Sequence, residues 1–307
     1  MSRMNRGFWV LLALTLVLLA GRCTNPSSPD DEEDRDSIAT AAPTTDIRVA
    51  DLHIEPDSLR ISAPRAVTAR SGYDNQPAFL PDGSGLVWTS IRDGQGDVYR
   101  WRFDDADPTQ LTETPESEFS PTPRPSRRMT LVRVESDGRQ RLWTYDDDGD
   151  PGSAVLPERD SIGYHAWIDP SRVALFVLGS PPTLHVVNVE TGTDTTVASR
   201  IGRCLQPVPG ATAISYVQVA DDSTTAVHVF DGSSLMSRRI APTPGTSRGD
   251  FHAWTPEGDL LMADGGTLLH WKSTVGEWAP VDSLAESKVS RLAISPSGDR
   301  LAFVVAE

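Results

Sequence analysis

Only two cysteines, Cys23 and Cys204, occur in 307 residues. That count excludes a disulfide framework, a Cys-x-x-Cys redox pair and a thiolate metal site. Lysine is almost as scarce: Lys272 and Lys288 stand alone, and 28 basic residues face 43 acidic ones, for a net charge of −15. A surface of that sign repels nucleic acid and anionic lipid, so neither is an expected partner of the folded chain. The longest apolar run, Phe8 to Ala20, falls short of the roughly 20 residues that span a bilayer. Also missing are Gly-x-Ser-x-Gly, His-Glu-x-x-His and a glycine-rich phosphate loop ahead of a helix, the signatures of common hydrolases and nucleotide enzymes. Cys204, left as a lone thiol, reads as a small buried hydrophobe.

The first 23 residues read as an export signal: Arg3 and Arg6 precede the apolar run, which ends at Leu-Ala-Gly-Arg-Cys. The segment resembles a bacterial lipoprotein signal, in which a small residue precedes the cysteine that receives lipid; here Arg22 precedes Cys23, the candidate lipidation site. Residues 24–45 carry an acidic run without apolar periodicity and read as a disordered tether. The expected location is therefore periplasmic or cell-surface, with the membrane engaged only through the N-terminus. Without the signal, 25 basic residues face 43 acidic ones, a net −18.

What the chain does contain is 24 prolines, 23 glycines and eight tryptophans at 38% hydrophobic residues, a composition of many turns around a real core. One phrase recurs: QPAFLPDG at Gln76, FSPTPRPS at Phe119, YHAWIDPS at Tyr164, CLQPVPGA at Cys204, FHAWTPEG at Phe251 and RLAISPSG at Arg291. Phe79, Pro123, Trp167, Pro207, Trp254 and Ile294 then align, at intervals of 40 to 47 residues. Each phrase leads into β-rich runs divided by turn residues, so the spacing predicts an all-β, six-bladed β-propeller. The sixth unit has only two strands before the chain ends. Its missing pair is expected at the front, because Val67 in PRAVT precedes Phe79 by the same 12 residues that separate Leu111 in PTQLT from Pro123. One domain, 46–307, is thus expected, its last blade closed by N-terminal strands so that no free edge remains.

The unit PAFLPDGSGLVWTSIRDGQGDVYRW followed by PTQLT resembles the repeat of TolB-like periplasmic β-propellers, without the N-terminal domain of TolB proper. That resemblance implies export and binding more often than catalysis. RDGQGD and DDDGD lack the ligand spacing of a calcium loop and read as hairpin turns.

In a propeller the loop before each innermost strand opens on one mouth of the central channel. Asn75, Gln76, Glu118, Tyr164, His165, Arg203, Asp250, His252 and Arg291 are the candidate binding residues there. They mix both charge signs with amide, phenol and imidazole groups, a set suited to a polar peptide, a glycan or an envelope protein, with the arginines as carboxylate-pairing donors. His165 and His252, each two residues before a tryptophan, could share a metal with Glu118 or Asp250, or else cap strands and bond to backbone. No catalytic residue, cofactor or metal is assigned, and a monomer is expected. A metal-dependent lyase or hydrolase acting on an acidic or sugar substrate is the alternative reading.

Overall fold

A computed structural model describes residues 42–55, 58–125, 128–244, 251–284, 286 and 288–306. Cys23 with the expected export signal, most of the expected tether, and Asp250 lie outside them. The chain starts with β1 (Thr45–Ile54), β2 (Leu59–Ile61) and β3 (Arg65–Ala66). Blade one follows as β4 (Tyr73–Phe79), β5 (Gly85–Arg92), β6 (Gln95–Arg102) and β7 (Thr109–Gln110). Blade two is β8 (Ser117–Arg124), β9 (Arg128–Val134), β10 (Gln140–Asp146) and β11 (Pro151–Ala154). Blade three is β12 (Ile162–Trp167), β13 (Arg172–Val177), β14 (Thr183–Asn188) and β15 (Asp194–Ser199). Blade four is β16 (Ile201–Pro207), β17 (Ala213–Val219), β18 (Thr225–Asp231) and β19 (Met236–Pro242). Blade five is β20 (His252–Trp254), β21 (Leu260–Asp264), β22 (Thr267–Trp271) and β23 (Trp278–Ser283). β24 (Val289–Ile294) and β25 (Arg300–Ala306) complete the chain.

The sixth blade is shared between the two ends. β1 pairs antiparallel with β25 from Thr45↔Ala306 to Asp51↔Arg300, and β2 and β3 both pair with the outer edge of β1. A latch holds the entry into blade one: Thr68 Oγ1 donates to Asp46 Oδ1 at 2.8 Å and accepts from the Ile47 N–H at 2.9 Å. Thr112, in the parallel position of PTQLT, accepts from the Val98 N–H at 2.9 Å in the same way. The repeated threonine therefore has one job at both places. It satisfies a backbone donor of the third strand where the fourth has ended.

First strands pack in a closed cycle: β4 on β8, β8 on β12, β12 on β16, β16 on β20, β20 on β24 and β24 on β4. Side chains alternate along each blade's strands, so one set buries against the preceding blade and the other against the next. Trp88 and Leu86 join Ile47, Val49 and Val304 between blades six and one, whereas Val87 joins Leu131 and Tyr145 between one and two. The same division gives a core at each of the other four interfaces. Turns obey the sequence. Asp93 and Gly94 take φ of 50° and 80° in the two-residue loop of the β5–β6 hairpin, the pair of left-handed residues that a type I′ turn needs. The DDDGD segment is likewise a turn, in which Asp146 Oδ1 accepts from the Asp148 and Asp150 N–H groups at 3.0 Å.

Candidate functional site at the propeller axis

The innermost strands do not run evenly along the axis. Their registers shift between Asn75 and Ala78, Phe119 and Thr122, Ile162 and Tyr164, Ile201 and Leu205, and Val289 and Leu292. Bulges of this kind re-aim side chains, and here five blades carry one just before the aligned core position. Gln76 and Ser120 take φ of 63° and 55° at their bulges, a conformation that costs a non-glycine residue energy unless its surroundings hold it. They hold each other: Gln76 Oε1 accepts the Ser120 N–H at 2.6 Å and the Thr89 hydroxyl at 3.0 Å. Gln76 Nε2 donates to the Tyr73 hydroxyl at 3.2 Å.

The strands enclose an axial cavity of about 870 Å³. Near the starts of the inner strands its wall contains Gln76, Tyr164, Arg203, Phe251 and Arg291; near their ends, Pro123, Arg124, Arg128, Trp167 and Pro207. An arginine–aromatic cluster dominates the first mouth. Arg291 Nη2 donates to the Tyr164 hydroxyl at 3.1 Å, and its guanidinium carbon lies 4.1 Å from the Phe251 ring centre and 5.0 Å from that of Tyr164. Arg203 approaches Phe251 at 5.6 Å. Burial pushes the Tyr73 phenol well above its ordinary range, against the opposing pull of Arg291 and Arg203.

The two candidate histidines form matched clasps between blades. His165 Nε2 lies 2.8 Å from Thr130 Oγ1, which also accepts from Trp167 Nε1 at 3.0 Å; His252 Nε2 lies 2.7 Å from Ser215 Oγ, which accepts from Trp254 Nε1 at 2.8 Å. Val87, Thr130, Ala174, Ser215, Leu261 and Ala302 occupy equivalent places on the second strands. Only the two hydroxyl members face a His-x-Trp in the next blade; the other four face proline or leucine. Burial drives both imidazoles down to about 3, with Arg124 adding to the effect on His165. These partners are hydroxyls of the preceding blade, not the backbone groups expected from sequence. Among the described residues no three His, Cys, Asp or Glu side chains gather closely enough to hold a metal. Thr130→Val is expected to cost about 2 kcal/mol, since it leaves the Trp167 N–H and His165 Nε2 buried without partners. Thr130→Ser should restore most of it, and urea unfolding of both variants checks this.

Five candidates, Gln76, Tyr164, His165, Arg203 and Arg291, thus meet at the cavity wall. Three described ones do not. Asn75 turns to the blade-six junction, where its amide approaches Thr45 Oγ1 at 3.4 Å. His252 is enclosed behind the wall in its clasp. Glu118 is fully buried at the joint of blades one and two, accepting from the Tyr145 hydroxyl at 3.0 Å, the Thr112 hydroxyl at 3.1 Å and the Thr114 hydroxyl. Its distance from the cavity removes the one described carboxylate expected there. Sequence reasoning missed Phe251, Trp167, Arg124 and Arg128. The signal for the last two was available, since PRPSRR is the densest basic run in an acidic chain.

No protein-family model matches the chain, and no curated protein sequence does either. Solved structures do match. A TolB candidate from Agrobacterium tumefaciens superimposes with a TM-score of 0.63 at 15% identity, covering 87% of this chain and 99% of that one. A structure from a nidogen/laminin complex gives 0.61 at 12% identity, covering 82% and 99%. A gluconolactonase from Xanthomonas campestris gives 0.60 at 12% identity, covering 87% and 98%. The chain is a β-propeller of TolB-like architecture. Binding proteins and enzymes share that architecture, so the likeness speaks for the fold alone.

Proposed function

We propose that the chain is an exported, non-catalytic binding propeller that receives a polar peptide segment of an envelope partner in its axial cavity, the protein itself held at the membrane through Cys23. The observation that carries this reading is the first mouth of the cavity. There Arg203 and Arg291 lie against the Phe251 and Tyr164 rings, bringing positive charge and flat apolar faces together. Guanidiniums braced on rings lose little freedom when they pair with a carboxylate or carbonyl, and the rings accept apolar side chains between those contacts. The histidine of the described wall, His165, is buried, neutral and bonded to Thr130 Oγ1, a hydroxyl already engaged by the Trp167 N–H.

A peptide array read by fluorescence polarisation supplies the test. Peptides retained by the parent should lose at least tenfold in affinity against Arg203→Ala combined with Arg291→Ala, and should be recovered chemically intact. Equal binding by the double variant, or peptide recovered cleaved, overturns the reading.

A further inference from the structure

The second mouth of the cavity holds a feature that folding alone does not favour. Arg124 and Arg128 stand directly opposite each other across the β8–β9 hairpin, and like charges so placed repel. No hydrogen bond or ion pair to a described residue relieves either guanidinium. Asp146 stands opposite Arg128 across β9–β10, but its Oδ1 caps its own turn, and Asp169 pairs with Arg172 at 2.7 Å and accepts from the Ser171 N–H. Arg124 is nevertheless fixed in place, its guanidinium carbon 3.6 Å from the centre of the Trp167 ring. That ring is itself anchored through its N–H to Thr130. A charge repelled by its neighbour and yet held rigidly on an aromatic face is organised for a counter-charge that comes from outside.

Geometry places this pair relative to the first cluster. Arg124 follows Ser120 by four residues on an innermost strand, and Ser120 aligns with Tyr164, Phe251 and Arg291. At about 3.3 Å per residue the two arginine clusters are separated by roughly 13 Å along the cavity. Four residues of extended peptide span that length. Resting on the axial-cavity reading above, we propose that Arg124 and Arg128 bind a carboxylate of the threaded peptide, so that the ligand is an acidic segment with carboxylates about four residues apart.

Hexaglutamate is the probe, measured by titration calorimetry at low and at physiological salt, with inorganic phosphate as the comparison anion. The parent should bind hexaglutamate in a salt-sensitive manner. Arg124→Gln with Arg128→Gln should weaken it at least tenfold while its melting temperature stays equal to the parent's or rises, because a repulsion has been removed. Arg128→Glu should pair with Arg124 internally and abolish binding. The proposal is overturned if the parent does not bind hexaglutamate, if phosphate competes as well as the peptide does, if the double glutamine variant binds equally, or if that variant melts lower, as a structural pair would. Retained loss on Arg203→Ala with Arg291→Ala, beside unchanged binding by the glutamine variant, leaves the axial reading intact and removes this one alone.

Discussion

Deletion of residues 1–68 is expected to abolish the cooperative unfolding transition of the whole ring. The excised strands contribute Ile47 and Val49 to the core between blades six and one, and Leu52 and Leu59 to the core between five and six. Two interfaces are therefore opened by one cut. Burying a side chain of this size contributes about 1.5–3 kcal/mol, so four of them together match the ~5–15 kcal/mol that holds a domain folded. The damage extends to β25, whose Leu301 to Val305 are all buried in the intact protein. Without β1 that strand becomes an exposed apolar edge, which recruits other chains. Circular dichroism during heating, with size-exclusion chromatography of the cooled sample, checks the outcome. A truncated chain that melts sharply at the parent's temperature, as a monomer, would show that the N-terminal strands do not close the ring.

The stability that Glu118 contributes should fall as pH rises from 5 to 8, and Glu118→Gln should remove that contribution, so that the pH slopes of the two proteins differ. Burial raises this carboxyl to about 7, against the pull of the Thr114, Tyr145 and Thr112 hydroxyls, and burial raises Asp97 at the same joint to about 6. Unfolding returns both to the ordinary carboxylate range near 4. Between those limits the folded chain holds protons that the unfolded chain has released, so stability is fully present in acid and is lost as pH rises through the folded values. Some 2.5 pH units for Glu118 correspond to about 3 kcal/mol, or roughly 6–10 °C in melting temperature for a domain of this size. Carboxylates held low by local hydrogen bonds, such as Asp82, Asp169 and Asp299, act in the opposite sense, but only below their own depressed values. Buried His165 and His252, held near 3, also oppose Glu118, because unfolding lets both imidazoles take up protons below about 6.5; the difference between the parent and Glu118→Gln, not the parent's slope alone, isolates the Glu118 joint. Melting curves at pH 5, 6, 7 and 8 decide the matter, and parallel slopes for the parent and Glu118→Gln would refute it.

The architecture was legible because each blade repeats a requirement. The first hairpin of a blade must turn tightly after a buried inner strand, and the Pro-x-Gly words at Pro81, Pro256 and Pro296 mark that event, as does the paired PRAVT and PTQLT offset for closure. The site was legible only in outline, for a reason of side-chain direction. A strand sends neighbouring residues to opposite sides, and a bulge changes which ones without leaving a mark in the sequence. Blade four has its register shift spread from Ile201 to Leu205, and Arg203 within it reaches the cavity. Asn75, the residue aligned with it in blade one, does not. Glu118 lies two residues before Ser120, near enough to be grouped with the mouth yet aimed into the blade joint. Arg124 and Arg128 were missed because attention to the loops before the inner strands leaves the other end of the channel unread.

The closure between β1 and β25 also sets an order in time. β1 is the first described strand to be synthesised, and its partner is the last. At about 5–20 residues per second, the interval between Thr45 and Ala306 lasts on the order of 10–50 s. Throughout it, the edge of β1 that carries Ile47, Val49 and Ala50 opposite β25 has no partner, and blades one to five can assemble on each other before the sixth becomes complete. A chain that is threaded through a membrane unfolded meets this delay on the far side. The last step of folding is then the capture of β1 by β25, and any factor that occupies β1 during the wait governs when the ring closes.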